Sequence, residues 1–141
     1  MPRKPRAVVL DSWSILAYFE DEPAGAKVAD IIADAHEQDI PLLMTMVNAG
    51  EVWYVIARKV SDSEADTSIA NLRELGIQFV EVNWKVARQA AVFKAKHKMS
   101  FADCFAAALA FLERGSALVT GDREFETIKD QVNVTWLRNT E

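Results

Sequence analysis

AVVL at residues 7–10, closed by Asp11, is the stretch on which the fold reading turns. A short apolar run rich in β-branched side chains, stopped by an acid, reads as a strand buried on both faces. A second run, ALVT at 117–120, ends one glycine before Asp122. PLLMTM at 41–46 is also continuously apolar, whereas IQFVEV at 77–82 alternates; NVTWL at 133–137 closes the set. Between these runs, helical patterns cover 12–20, 24–38, 47–60, 63–75 and 84–98. Another spans 101–112, and a short helix is expected over 122–130. Strands separated by helices predict a central, mostly parallel sheet covered on both faces, hence an α/β fold built as a three-layer α/β/α sandwich. Ligands in such folds bind beyond the carboxyl ends of the strands. By that rule Asp11 and Asp122 share one rim.

The length of 141 residues fits a single domain over 1–141 with room for a real core. Half of the residues are hydrophobic and Gly and Pro number 5 and 4, which excludes low-complexity and collagen-like classes. One cysteine, Cys104, can form neither an internal disulfide nor a zinc cluster, so a reducing compartment is expected. The apolar run after the basic start MPRKPR stops at Asp11, too short for a secretory signal. The longest uncharged run, residues 40–50, is far below the roughly 20 residues that span a bilayer. A cytoplasmic protein with no membrane partner is expected. The bases number 16 and the acids 21, so the net charge is 16 − 21 = −5, the wrong sign for a simple electrostatic binder of nucleic acid.

Four acids stand where acids are costly. Asp11 and Asp122 end buried runs. Asp103 is the single charge in the apolar helix FADCFAAALAFL, and Glu51 shares a helical stripe with Val47 and Val55. An ionised carboxylate buried without a partner costs several kcal/mol, and like charges brought together raise one another's pKa. A hard divalent cation, Mg²⁺ or Mn²⁺, removes both costs, because it prefers carboxylate oxygens. Helix capping is the competing account. Ser100-x-x-Asp103 and Asn48-x-x-Glu51 fit capping boxes, and Asp11 and Asp122 fit helix N-caps. The two accounts are compatible, since a helix N-terminus both stabilises and orients a carboxylate.

The blocks VVLDSWSILAYF at 8–19, MVNAGEVWYVIARK at 46–59, SFADCFAAALA at 100–110 and LVTGDREF at 118–125 resemble, in order, the motif blocks of PIN-domain nucleases, above all the VapC-like toxin branch. The resemblance implies a metal-dependent endoribonuclease, usually the toxin of a toxin–antitoxin pair. It assigns Asp11, Glu51, Asp103 and Asp122 to the acidic cluster that holds Mg²⁺ or Mn²⁺, with Asp11 and Asp103 as principal ligands. Thr120 matches the hydroxyl residue two before the last acid, Ser12 the small polar residue after the first, and Asn48 a polar position before the glutamate. Trp13 is bulkier than the residue many relatives carry there. In the implied chemistry, bound ions acidify a water, orient the scissile phosphate and stabilise the leaving oxygen. The implied partners are an RNA substrate, a cognate antitoxin and a second copy of the chain. The nearest alternative within the family is an RNA-processing ribonuclease without an antitoxin.

Other classes fit less well. His36 and His97 lie in polar helical stretches and Cys104 in an apolar one, so nucleophile chemistry has no support. No phosphate-cradling glycine motif is present. Aspartyl-phosphate chemistry of the haloacid-dehalogenase type wants an acid two after the first, where Trp13 stands, and receiver domains want paired acids near the first strand. A non-catalytic partner-binding module on the same fold would bind no divalent ion. Among the bases, Lys94, Lys96 and Lys98, with His97 between them, precede the Asp103 helix and Arg123 adjoins Asp122; these are the expected RNA-backbone contacts. Arg58 and Lys59 suit a helix C-terminus, and Arg3, Lys4 and Arg6 precede the first strand.

Overall fold

In the computed structural model, which describes residues 4–138, five short strands form one sheet. They are β1 (Val8–Leu10), β2 (Leu42–Thr45), β3 (Ile77–Val80), β4 (Ala117–Thr120) and β5 (Val134–Trp136). The order is β3-β2-β1-β4-β5, and every pairing is parallel. Arg3 lies outside the described residues.

Six α-helices connect and cover the strands: α1 (Ser12–Phe19), α2 (Pro23–Glu37), α3 (Met46–Lys59), α4 (Asp62–Glu74), α5 (Trp84–Lys96) and α6 (Phe101–Leu112). The strand pleat sorts the core into two halves. Val8, Leu10, Leu42, Met44 and Val119 face α1 to α4, while Val9, Leu43 and Leu118 face α5 and α6. Period-two alternation in strands of three or four residues thus builds both outer layers. Val9, Leu10, Met44 and Leu118 are fully buried, each stabilising the fold by roughly 1.5–3 kcal/mol. In α6 every residue from Asp103 to Ala110 is buried, and six of those eight are small alanine or bulky apolar side chains packed onto the sheet beside Asp103 and Cys104.

The local signals explain the element ends. Pro23 opens α2. Ser61 caps α4 through its hydroxyl, and Gly76, with φ +85°, ends that helix as only glycine does without strain. The short helix expected over 122–130 is present as a 3₁₀ helix, Arg123–Ile128. One expectation needs correction. Asn48 is not a helix cap: α3 starts two residues earlier, at Met46, and Thr45 caps it by accepting the Asn48 N–H at 3.0 Å.

The chain leaves β1 toward β2 and β3 on one side, then returns to β4 and β5 on the other. The reversal lies between β1 and β4. Asp11 and Asp122 follow these two strands.

Candidate active site

Asp11 is fully buried as the N-cap of α1. Its Oδ1 accepts the Ser14 N–H at 2.9 Å and its Oδ2 accepts the Thr120 hydroxyl at 2.5 Å. The same Thr120 oxygen accepts the Asp122 N–H at 3.0 Å, so one hydroxyl joins the first and last acids across the β1–β4 crevice. A carboxylate offers about four lone-pair sites, so two remain on Asp11. Burial pushes its carboxyl up to about 6, opposed by the bonds from Thr120 and Ser14 and aided slightly by the charge of Asp122.

Asp103 lies in the first turn of α6, where the Ser100 hydroxyl caps the helix by accepting the Asp103 N–H at 3.2 Å. The Ser100 N–H in turn donates to Glu124 Oε1 at 3.0 Å. Asp122 caps the 3₁₀ helix, its Oδ1 accepting the Glu124 N–H at 2.9 Å. These caps draw Asp103, Asp122 and Glu124 together, with one carboxylate oxygen of each within 4.8 Å of the others. Burial, then Glu124, Asp122 and Asp11, hold the Asp103 carboxyl well above the usual carboxylate range. Glu124 moves the opposite way, held down by its hydrogen bond with the Asp103 side chain and by the Ser100 N–H. The opposite shifts of this pair favour a proton on Asp103 facing the Glu124 carboxylate.

Such a group suits a cation. Its donors are all carboxylate oxygens, with no histidine or thiol among them, and none of the three acids is ion-paired to Lys or Arg among the described residues. An all-carboxylate set is the kind that hard divalent ions prefer.

The sequence matches the family model of the PIN domain over residues 8–131. The chain belongs to the PIN domain family. No curated protein sequence matches it. Among solved structures, VapBC-1 from nontypeable Haemophilus influenzae superposes with a TM-score of 0.69 at 19% identity, covering 92% of this chain and 97% of that one. VapC20 from Mycobacterium tuberculosis, described as a toxin that cleaves the sarcin–ricin loop, gives 0.66 at 16% identity over 86% and 94%. VapBC from Salmonella typhimurium, solved bound to DNA, gives 0.70 at 15% identity over 92% and 96%. At these identities the likeness is one of fold.

Within this PIN domain the remaining expected site residues fall into distinct places. Asn48 is fully buried and works as a tie. Its Nδ2 donates to the Ala102 carbonyl at 3.1 Å and to the Ser12 hydroxyl at 3.3 Å, while its Oδ1 accepts from Thr45 at 2.5 Å. The Ser12 hydroxyl donates to the Asn48 carbonyl at 3.2 Å. Asn48 and Ser12 thus lock α1 and α3 onto the turn that carries Asp103. Glu51, one helical turn further along α3, is half-buried and stands outside the 4.8 Å group, with the Tyr54 hydroxyl 3.5 Å from its Oε2.

The bases divide similarly. Lys94 is held, its ammonium donating to the Met99 carbonyl at 2.6 Å in the α5–α6 turn. Arg123 pairs with Glu126 at 3.5 Å in solvent, and Lys96 and Lys98 are exposed. Cys104 is buried in the core and burial pushes its thiol up, which suits an inert side chain.

Glu124 is the site residue that sequence reading passed over. Its signal was the D-x-E spacing of Asp122 and Glu124 in GDREF, at the start of a short helix. Its neighbours Asp122, Arg123 and Glu126 are charged, and the single apolar residue beside it, Phe125, does not make the kind of apolar run that marks Asp11 or Asp103.

Proposed function

We propose that the protein is a metal-dependent endoribonuclease, the toxin of a toxin–antitoxin pair, using Mg²⁺ or Mn²⁺ at the β1–β4 crevice. The observation that carries this reading is the triad of Asp103, Asp122 and Glu124 converging within 4.8 Å beside buried Asp11. Membership of the PIN domain family and a fold shared with VapC and VapBC structures support the nuclease and toxin assignments. Asp103, Asp122 and Glu124 would hold the ion directly, and Asp11 and Glu51 would complete the shell, through water where their oxygens are engaged. A bound divalent ion supplies positive charge to the scissile phosphate and makes a nearby water more acidic.

The chain's own residues do the rest. Thr120 fixes the Asp11 carboxylate and the Asp122 backbone in one register, which keeps the acids preorganised. Asn48 and Ser12 hold the Asp103 turn in place. Asp103 has a proton to give up when the site fills. Lys96, Lys98 and Arg123 contact the RNA backbone, with Lys94 shaping the turn beneath them. A cognate antitoxin and a homodimer complete the reading, together with a cytoplasmic location. No helix among the described residues is long and apolar enough to cross a membrane.

The test is incubation of end-labelled RNA with the wild-type protein, Asp11→Asn and Asp103→Asn, each with Mg²⁺, Mn²⁺ or EDTA. Discrete cleavage by the wild type with either metal, absent in EDTA and in both variants, is the expected pattern. Wild-type cleavage rates in both variants would refute the site.

A further inference from the structure

Beside the acidic centre lies a second cleft, of about 310 Å³, that the cleavage chemistry leaves unused. Trp13, Gly121, Arg123, Trp136, Leu137 and Arg138 line it. It shares a wall with the active site through the chain itself: Trp13 is two residues past Asp11, and Gly121 directly precedes Asp122. Trp13 is seated there firmly. A Cβ on Gly121 would fall 2.3 Å from the indole ring, so this position is open only because residue 121 is glycine. Trp136 ends β5 in register with Thr120, which places the second indole at the same rim as the acids. Both indoles are half-buried, each packed against a different half of the core with part of its surface left to the cleft.

We propose that this cleft receives the base of a nucleotide flanking the scissile phosphate, stacked on an indole face, with Arg138 and Arg123 on the adjoining phosphate. The proposal rests on the ribonuclease reading and names how its substrate is gripped. Every base has a π-face, so indole stacking anchors a single strand with little sequence preference. Guanidinium groups at the mouth match phosphate geometry. The carboxylate in the cleft, Glu126, is balanced by Arg123 at 3.5 Å and Lys129 at 3.9 Å. The volume sits at the low end of the roughly 300–1,000 Å³ typical of ligand pockets, suited to one base and its ribose.

Two measurements test the cleft. The first follows intrinsic tryptophan fluorescence of the full-length protein in EDTA, titrated with adenosine 5′-monophosphate or with ribose 5-phosphate. Saturable quenching by the nucleotide alone is expected in the wild type and in Asp103→Asn; with Trp13 in the same cleft as the remaining reporter, it is retained in Trp136→Phe and lost in Trp136→Leu. Equal response to both compounds, or an unchanged response in Trp136→Leu, overturns the proposal whatever the protein cleaves. The second compares cleavage of an RNA with that of the same RNA made abasic beside its mapped cleavage site. Base stacking worth about 1–3 kcal/mol predicts a roughly 5- to 150-fold lower kcat/KM for the abasic RNA with wild type. Trp136→Leu should already be that slow on intact RNA and lose nothing further on the abasic one. Independent, multiplicative losses would contradict stacking. Failure of the ribonuclease reading looks different: no metal-dependent cleavage, with nucleotide quenching intact.

Discussion

At the residue scale, Asp11 and Asp103 are acids whose environments oppose their charge. Burial raises the Asp11 carboxyl from its ordinary 3.8 to about 6, a cost of roughly 3 kcal/mol once it ionises in the folded protein. Between about pH 4 and 6 the folded chain keeps a proton that the unfolded chain has released. The Asp11 contribution therefore weakens as pH rises through that window and is flat below it and above it. Urea unfolding in EDTA should show this decline in the wild type relative to Asp11→Asn; parallel pH profiles would contradict it. Asp103 lies still higher, because Glu124 adds to burial. Cation binding near neutral pH should then expel a proton, seen as a buffer-dependent heat in Mn²⁺ titration calorimetry at pH 7.5. Asp103→Asn should abolish that heat while leaving the ion-free protein at least as stable as the wild type by thermal unfolding.

At the scale of elements, the helix caps and the site are the same atoms. Asp11, Ser100 and Asp122 each start a helix and each sets an acid or its neighbour in place. This explains why both readings of these residues were legible in the sequence. The same signal misled at α3, because Thr45 and Met46 sit inside an apolar run where strand end and helix start blur; the cap that the spacing assigns to Asn48 belongs to Thr45 in the fold. Freed from capping, Asn48 is a buried bridge between three helices. Asn48→Ala would leave the Thr45 and Ser12 hydroxyls and the Ala102 carbonyl short of partners. A loss of about 2–4 kcal/mol in denaturant unfolding is expected, with slower cleavage by the folded fraction. Gly121→Ala is the matching test on the other side. Displacing the Trp13 ring should cost about 1–3 kcal/mol and change the fluorescence of the cleft. Glu124 escaped the sequence reading for a physical reason: an exposed acid in a polar turn carries no mark of burial, and only the cap geometry folds it over Asp103.

At the scale of the whole molecule, strand order decides function. Short buried runs with helices between them announced a parallel three-layer fold, yet nothing in their spacing said that β1 and β4 would be neighbours. That adjacency creates the crevice, because it brings residues 11 and 120 within hydrogen-bonding distance. The net charge of −5 now has a local cause as well. On the proposed mechanism the acids gathered in one crevice would be offset by divalent ions, two charges each, and Lys96 and Lys98 are exposed in the α5–α6 turn. Replacing Lys96 and Lys98 together by alanine should flatten the salt dependence of RNA binding by roughly 0.7 in log–log slope for each phosphate no longer neutralised; an unchanged slope would remove them from the interface.

On the proposed mechanism, the ion held by Asp103, Asp122 and Glu124 is the one that makes the protein cleave RNA. One Mg²⁺ titration with two readouts, melting temperature and cleavage rate, distinguishes that ion from a merely structural or adventitious one. Binding to the folded state alone raises the melting temperature as the site fills. Both readouts should rise together to a common half-saturation, and Asp103→Asn and Glu124→Gln should shift or abolish both. Full cleavage in EDTA, or in Asp103→Asn, would contradict it.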